Sequence, residues 1–295
     1  MGGVERIEFS VGGDRVVGHL HLPAGEKYPG IVVGGPMTSV KEQVTGTYAA
    51  AMASRGFAAL AIDHRHYGES GGAPRQYEYY PHKLEDLAAA FEALRARPDI
   101  TDVFALGICL GCGYLARTIA DKAVVVKGFG AVAGYYRDVE AMKRSDAAGF
   151  EEKVAAGRAA RIKFETTGEL DVIPAVLPPG EGDAAMTMQS TFDYYGPGGR
   201  MAVPNYKNEF AVMSREFFLQ FDVQPAASKL GGTPFIMLHG QNAIAPPLAH
   251  RFFDAIPGTN KSKVDLSSEG QTDIYDSPAI VNFAADKLAA FFSTL

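Results

Sequence analysis

The chain has little of what usually assigns a protein at sight. It holds two cysteines in 295 residues, Cys109 and Cys112. A pair three positions apart builds no disulfide framework, so a reducing, cytoplasmic setting is expected. Positive charge is not in excess. The formal net charge is −6, which gives no electrostatic reason to expect nucleic acid or an anionic membrane as partner. No long apolar run is present. The most apolar stretch, residues 48–62, is broken by Arg55 and Gly56 and is too short to span a bilayer. The opening MGGVERIEFS lacks a basic start followed by an apolar run, and position 6 is Arg6 rather than Ser or Thr. Neither a secretory signal nor myristoylation is therefore expected. No G-x-G-x-x-G follows a strand-like run, which leaves a dinucleotide fold without support. Internal repeats and low-complexity tracts are also missing.

What remains is ordinary for a soluble globular chain: 47% hydrophobic and 21% charged residues. The length suits one large α/β domain with an inserted segment, or two small domains. Runs at residues 6–11 and 15–22, split by Gly12-Gly13-Asp14, predict an antiparallel hairpin. Strand patterns follow at residues 30–33, 57–62, 102–106 and 123–132, with helical patterns at 43–54, 81–97 and 110–120. This alternation predicts a mostly parallel, doubly wound sheet. It fails over residues 137–228, where charged helical runs, Pro-Pro-Gly and many aromatics occur. That stretch is expected to be a cap inserted into a core made of residues 1–136 and 229–295. Alternation resumes with strands at 234–238 and 263–266 and helices at 247–255 and 279–292.

The strongest local signal is Gly107-Ile108-Cys109-Leu110-Gly111, between a strand pattern and a helix pattern. That is the setting of a nucleophile elbow, whose tight turn needs glycine at its flanks. Cys109 is the expected nucleophile, above a helix N-terminus that favours a thiolate and a developing oxyanion. The N–H of Leu110 is one expected oxyanion donor. The other should come from Gly34-Gly35-Pro36-Met37-Thr38; Pro36 has no N–H, which leaves Met37. Two other readings compete: a buried structural cysteine, and a redox C-x-x-C formed by Cys109 and Cys112. A thioredoxin-like unit is much shorter than this chain, and two cysteines without a Cys/His partner spacing make a poor zinc site.

With these residues the sequence resembles the small α/β-hydrolases related to dienelactone hydrolases, many of which carry cysteine at the elbow. The resemblance rests on the elbow, on Pro36-Met37-Thr38-Ser39-Val40-Lys41-Glu42-Gln43, on Asp63-His64-Arg65-His66-Tyr67-Gly68-Glu69-Ser70-Gly71-Gly72, and on Thr272-Asp273-Ile274-Tyr275-Asp276. It implies an α/β-hydrolase fold with an inserted cap. It also implies an acid after the strand ending at Leu238 and a histidine just before Thr272. Here the acid position reads Asn242 (or Ala243), and the histidine position reads Gln271. The expected triad is thus Cys109, Asn242 and Gln271. Glutamine neither takes the nucleophile's proton nor returns it near neutral pH, so deacylation lacks a base.

Around this centre, Tyr135 and Tyr136 are expected to donate hydrogen bonds to a carbonyl or enolate, and Tyr194, Tyr195, Tyr206 and His239 to wall the pocket. His64 and His66 lack a third ligand at useful spacing, so no metal and no cofactor is expected. Asp63, Arg65 and Glu69 are expected to hold their own loop, and Asp138 to sit at the cap hinge. Three functions stay open. One is an enzyme that performs a non-hydrolytic step, such as cyclisation, isomerisation or elimination, on an apolar acyl, lactone or polyketide-like carbonyl compound of specialised metabolism. The second is a cysteine-dependent esterase, thioesterase or acyltransferase with a base from elsewhere. The third is a non-catalytic small-molecule binder. A homodimer is left open.

Overall fold

A computed structural model gives the structure, with residues 2–295 described. β1 (Val4–Val11) and β2 (Asp14–His21) form the expected antiparallel hairpin; Gly12 and Gly13 carry the positive φ of its turn. β3 (Tyr28–Gly34), β4 (Ala58–Asp63), β5 (Ile100–Ile108) and β6 (Phe129–Val132) follow. β7 (Val172–Ile173) pairs only with β8 (Phe210–Ala211), away from the main sheet. β9 (Phe235–His239) and β10 (Lys261–Asp265) complete it. The order across the eight strands is β1-β2-β4-β3-β5-β6-β9-β10. β4 pairs antiparallel to β2, and every pair from β4 to β10 is parallel. β4 is buried along its whole length, as a strand covered on both faces must be.

Helices α1 (Val44–Ala53), α2 (Tyr80–Arg95) and α3 (Leu110–Asp121) connect the first parallel strands. Between β6 and β9 lie α4 (Val139–Ser145), α5 (Ala147–Thr167), α6 (Gln189–Tyr195), α7 (Ser214–Phe218) and a 3₁₀ turn over Gln224–Lys229. α8 (Pro246–Ala255), the short α9 (Asp273–Asp276) and α10 (Pro278–Phe292) close the chain. α1 packs on α10, and α2 packs on α3. The long charged run of α5 holds together because Asp146 caps its start and Gly168, at φ 76°, ends it. No helix among the described residues is long and apolar enough to cross a membrane.

One expected strand is shorter than its sequence pattern. Residues 123–132 alternate, yet only Phe129–Val132 is strand. The lead-in meets β5 only at its end, where the Lys127 N–H donates to Val103 O at 2.9 Å; regular pairing starts when Phe129 reaches Ala105 and Phe235, and Val125 stays 81% exposed. Alternation records which face is buried; a strand also needs a partner on its edge.

From β3 the chain steps to β4 on one side, and later enters β5 on the other. The order therefore reverses between β3 and β5. In open parallel sheets the crevice at such a point, at the carboxyl ends of the strands, is where ligands bind. The loop after β3 and the turn after β5 flank it.

Candidate active site

Cys109 sits between β5 and α3 with φ 55° and ψ −126°. A non-glycine residue there carries strain of about 1–3 kcal/mol, so its surroundings must over-determine it. They do. The Cys109 N–H donates to Val132 O at 3.1 Å, and Cys109 O accepts from the N–H of Tyr135 at 2.9 Å and of Cys112 at 3.1 Å. The flanking glycines are required by contact. A Cβ on Gly107 would lie 2.6 Å from Cys112 Cα, and one on Gly111 only 2.1 Å from Gly34 O. The second contact presses the start of α3 against the end of β3 and brings the Met37 loop beside Cys109.

That loop is anchored from beneath. The Thr38 N–H donates to Glu78 Oε2 at 2.9 Å, and the Lys41 N–H to Asp63 Oδ1 at 2.8 Å. Lys41 Nζ bridges Asp63 at 2.8 Å, Glu42 at 2.8 Å and Glu69 at 2.6 Å. Glu78 is fully buried and accepts from Tyr67 at 2.7 Å and Tyr114 at 2.5 Å, with Lys83 Nζ at 2.6 Å. The Met37 N–H has no hydrogen-bond acceptor among the described residues, and the Leu110 N–H has no backbone acceptor, meeting only the Cys109 thiol. Both residues line a cavity of about 340 Å³ that Cys109 also lines.

Gln271 lines the same cavity. Its Oε1 accepts from the Ile244 N–H at 2.7 Å, and its Nε2 donates to Ala133 O and to the Tyr275 hydroxyl, both at 3.2 Å. Tyr275, one helical turn after Gln271, also lines the cavity. Burial pushes the Cys109 thiol pKa up. Hydrogen bonds from the Tyr275 hydroxyl, the Leu110 N–H and the Gln271 amide oppose this without overcoming it. The thiol is therefore protonated at neutral pH. Burial also holds the Tyr275 hydroxyl far above its ordinary pKa, so it acts as a donor.

The cavity's other wall comes from the segment between β6 and β9: Met142, Met186, Met188, Thr191, Tyr195 and Phe218 among others. Of the aromatic residues expected to wall the pocket, only Tyr135 and Tyr195 do so. Tyr136 is buried outside the cavity, its ring stacked on Phe252 at 4.0 Å. Tyr194 is also buried, edge-on to Tyr275, and Tyr206 packs behind Tyr195. His239 is held by the carbonyls of Gly240 at 3.0 Å and Gly134 at 3.3 Å. All four fall outside the cavity lining. Burial alone does not reveal which side of a wall a side chain fills.

The expected acid position also needs correction. Asn242 is exposed, and its Nδ2 donates to Ser268 O at 2.9 Å. It makes no hydrogen bond to Gln271; the backbone of Ile244 orients Gln271 instead. Asp138 caps α4 through the Ala141 N–H at 2.9 Å and pairs with Arg251. His64 lies beside Asp86 at 3.2 Å, and His66 stacks on His82, with their ring nitrogens 2.9 Å apart. The one metal-type cluster found among the described residues is His19, Glu42 and Glu69, and its two carboxylates already hold the Lys41 ammonium.

Two cavity residues escaped the sequence reading. Tyr275 lay inside a recognised motif without a role, although its spacing from Gln271 places both on one face. Arg137 follows Tyr135 and Tyr136 at the carboxyl end of β6, at the ligand edge of the sheet, and is only 4% exposed. The cavity lining contains no aspartate, glutamate, lysine or histidine.

Known proteins agree with this architecture. A family model described as serine aminopeptidase, S33 (Hydrolase_4), matches residues 41–173. The uncharacterized protein YcjY of Escherichia coli K12 is 30% identical over 280 residues, covering 90% of this chain and 88% of that protein. Thiohydrolase aneE of Aspergillus aculeatus is 26% identical over 266 residues, covering 86% and 82% respectively. The crystal structure of hypothetical protein PA2218 from Pseudomonas aeruginosa superposes with a TM-score of 0.84 at 25% identity, over 99% of this chain and 94% of that one. Sheet order, the strand–helix turn at Cys109 and these matches over nearly the whole length agree: the chain belongs to the α/β-hydrolase superfamily.

Proposed function

We propose that this chain is an enzyme that binds an apolar carbonyl compound under a cap made of residues 137–228 and promotes a non-hydrolytic step on it. The observation that carries this is a cavity lining that offers hydrogen-bond donors and holds no carboxylate, imidazole or amine base. The carbonyl oxygen would be held by the N–H groups of Leu110 and Met37. The Tyr135 hydroxyl would supply a further donor, while the Gln271 amide, given to Ala133 O and the Tyr275 hydroxyl, holds Tyr275 in place. Such a set stabilises charge developing on oxygen, and in a dry cavity that is the largest single contribution an enzyme makes. Nothing in the lining takes a proton from water at neutral pH. Of the steps compatible with that, intramolecular cyclisation asks least of a base: the substrate carries its own nucleophile, and the cavity fixes its reactive conformer.

A second reading has one observation in its favour. A relative of this chain is named a thiohydrolase, and Cys109 lies where a nucleophile would attack a thioester. Incubation with a chromogenic ester and a simple thioester separates the two. The proposal expects at most one equivalent of leaving group per chain, with any acyl adduct on Cys109 persisting by intact mass. Sustained turnover by the unmodified chain would overturn it in favour of the cysteine hydrolase.

A further inference from the structure

Arg137 is a buried cation without a counter-ion. Its Nε donates to Phe221 O at 3.3 Å, and one terminal nitrogen to Leu219 O at 3.3 Å and towards Met142 Sδ at 3.4 Å. The other terminal nitrogen has no acceptor among the described residues. The guanidinium lies 4.3 Å from the centre of the Phe218 ring and 5.9 Å from that of Tyr135, so two apolar faces fix its position. The carboxylates whose charge it feels, Asp222 and Glu78, form no ion pair with it. Glu78 is taken by Lys83 and three hydrogen bonds, and Asp222 accepts from the Gln224 N–H. A buried arginine is almost always paired, because desolvating an unpaired charge is costly. Arg137 lines the Cys109 cavity, whose lining has no acidic side chain.

We propose that Arg137 anchors a carboxylate of the ligand, so that the substrate class is carbonyl compounds bearing a free carboxylate on an apolar body. This rests on the preceding reading only in taking the Cys109 cavity as the ligand site; it requires no particular reaction. The free terminal nitrogen of Arg137 can donate to a carboxylate oxygen, and the guanidinium charge makes that a charge-assisted hydrogen bond. The methionine and phenylalanine walls accept the apolar body. Anchoring at Arg137 would then set which carbonyl of a larger molecule reaches the Leu110 and Met37 N–H groups.

The test is binding, which needs no turnover. Calorimetric titration of the unmodified chain compares 4-phenylbutanoate with 4-phenylbutanamide, and uses acetate and inorganic phosphate as small-anion controls. The acid should bind more tightly than the amide by about tenfold to a hundredfold, the worth of a charge-assisted pair. It should also bind far more tightly than acetate or phosphate, which bring charge without an apolar body. Arg137→Met, which keeps the apolar contacts, should bring acid and amide to the same affinity and so abolish the preference for the acid. Arg137→Lys should keep part of it. Equal binding of acid and amide to the unmodified chain overturns the proposal, and so does no binding of either at millimolar concentration. Acetate or phosphate binding as tightly as the phenyl acid would show an adventitious anion site and overturn it too. Should Arg137→Met not fold, the acid-to-amide ratios of the unmodified chain and of Arg137→Lys decide. Sustained ester hydrolysis with the acid preference intact would remove the non-hydrolytic reading and leave the anchor standing.

Discussion

Replacing Gln271 by histidine is the direct attempt to turn this site into a hydrolase, and its local geometry predicts that the single change does little. Gln271 lies between a donor and acceptors: the Ile244 N–H reaches its Oε1 at 2.7 Å, while its Nε2 faces Ala133 O and the Tyr275 hydroxyl at 3.2 Å. An imidazole placed there meets the same pattern. The ring nitrogen beside Ile244 must accept, so the proton resides on the nitrogen facing Ala133 and Cys109. That tautomer donates towards sulfur, whereas a general base must accept. Reversing it leaves the Ile244 N–H unpaired, which costs about 1–3 kcal/mol for a buried donor. Gln271→His alone should therefore raise steady-state hydrolysis of a chromogenic ester by less than about tenfold. A carboxylate that accepts from the ring would remove the penalty. Ala243 is buried beside the Ile244 N–H, whereas Asn242 is exposed and tied to the Ser268 carbonyl. Gln271→His with Ala243→Asp should thus recover the worth of a positioned base, about 10²–10⁴-fold. The pair with Asn242→Asp should match Gln271→His alone. The reasoning fails if Gln271→His by itself gains two orders of magnitude, or if the Asn242 pair outperforms the Ala243 pair.

Other consequences follow from the same contacts. Iodoacetamide should alkylate Cys109 slowly at pH 7, because burial holds its pKa above the ordinary 9.0; the rate should rise as pH passes above that value, and intact mass should show one adduct, since Cys112 is wholly buried. Tyr275→Phe removes a donor to the thiolate and should make alkylation slower still below the thiol pKa, where the thiolate fraction sets the rate; faster alkylation there would contradict the assignment. Cys109→Ala should abolish any acyl adduct on incubation with an activated ester while keeping the cavity's affinity for apolar carbonyl ligands; an adduct that survives at another residue would place the nucleophile elsewhere. Glu78→Gln should cost about 3–5 kcal/mol in chemical denaturation, since it strands the buried Lys83 charge. Burial alone would raise the Glu78 pKa, but the Lys83 charge and hydrogen bonds from Lys83, Tyr114 and Thr38 leave it below the ordinary 4.5. Its contribution is therefore complete above pH 4.5 and lost as pH falls through the lower folded value, so the unmodified chain should lose stability there more steeply than Glu78→Gln.

The sheet was legible because its signals are local. β4 is apolar up to its final Asp63 and β5 from Val103 onward, and the glycines at 107 and 111 bracket a turn that any side chain would obstruct. The cavity was legible only on its sheet side. Leu110, Met37, Cys109 and Gln271 occupy fixed offsets from strand ends, so a motif places them. The opposite wall, with Met142, Met186, Met188 and Phe218, comes from the short helices and loops of the inserted segment, and no periodicity points at it. Tyr136, Tyr194 and Tyr206 show the same limit in reverse: aromatic content marked them as buried, but not behind which wall. Arg137 was passed over because arginine is a surface residue by default, and only its missing counter-ion in three dimensions makes it notable.

The strained turn at Cys109 invites the inference that a nucleophile must be at work, and the structure supplies a different reason for its persistence. The turn is held by three backbone hydrogen bonds and by two glycine contacts that no reacting residue takes part in. Those contacts make the turn a property of how α3 meets β3 and β6. Its direct consequence is to set Leu110 beside Met37 on the cavity lining, at the switch point of the sheet. On the proposed function, a chain without the histidine and the acid would keep the turn because the turn would still deliver an anion-stabilising pair of donors. What such a chain would retain is polarisation of a carbonyl in the cavity, with the charge of Arg137 to orient its ligand. The chemistry left to it is whatever a substrate can do once its oxygen is held and its conformation chosen.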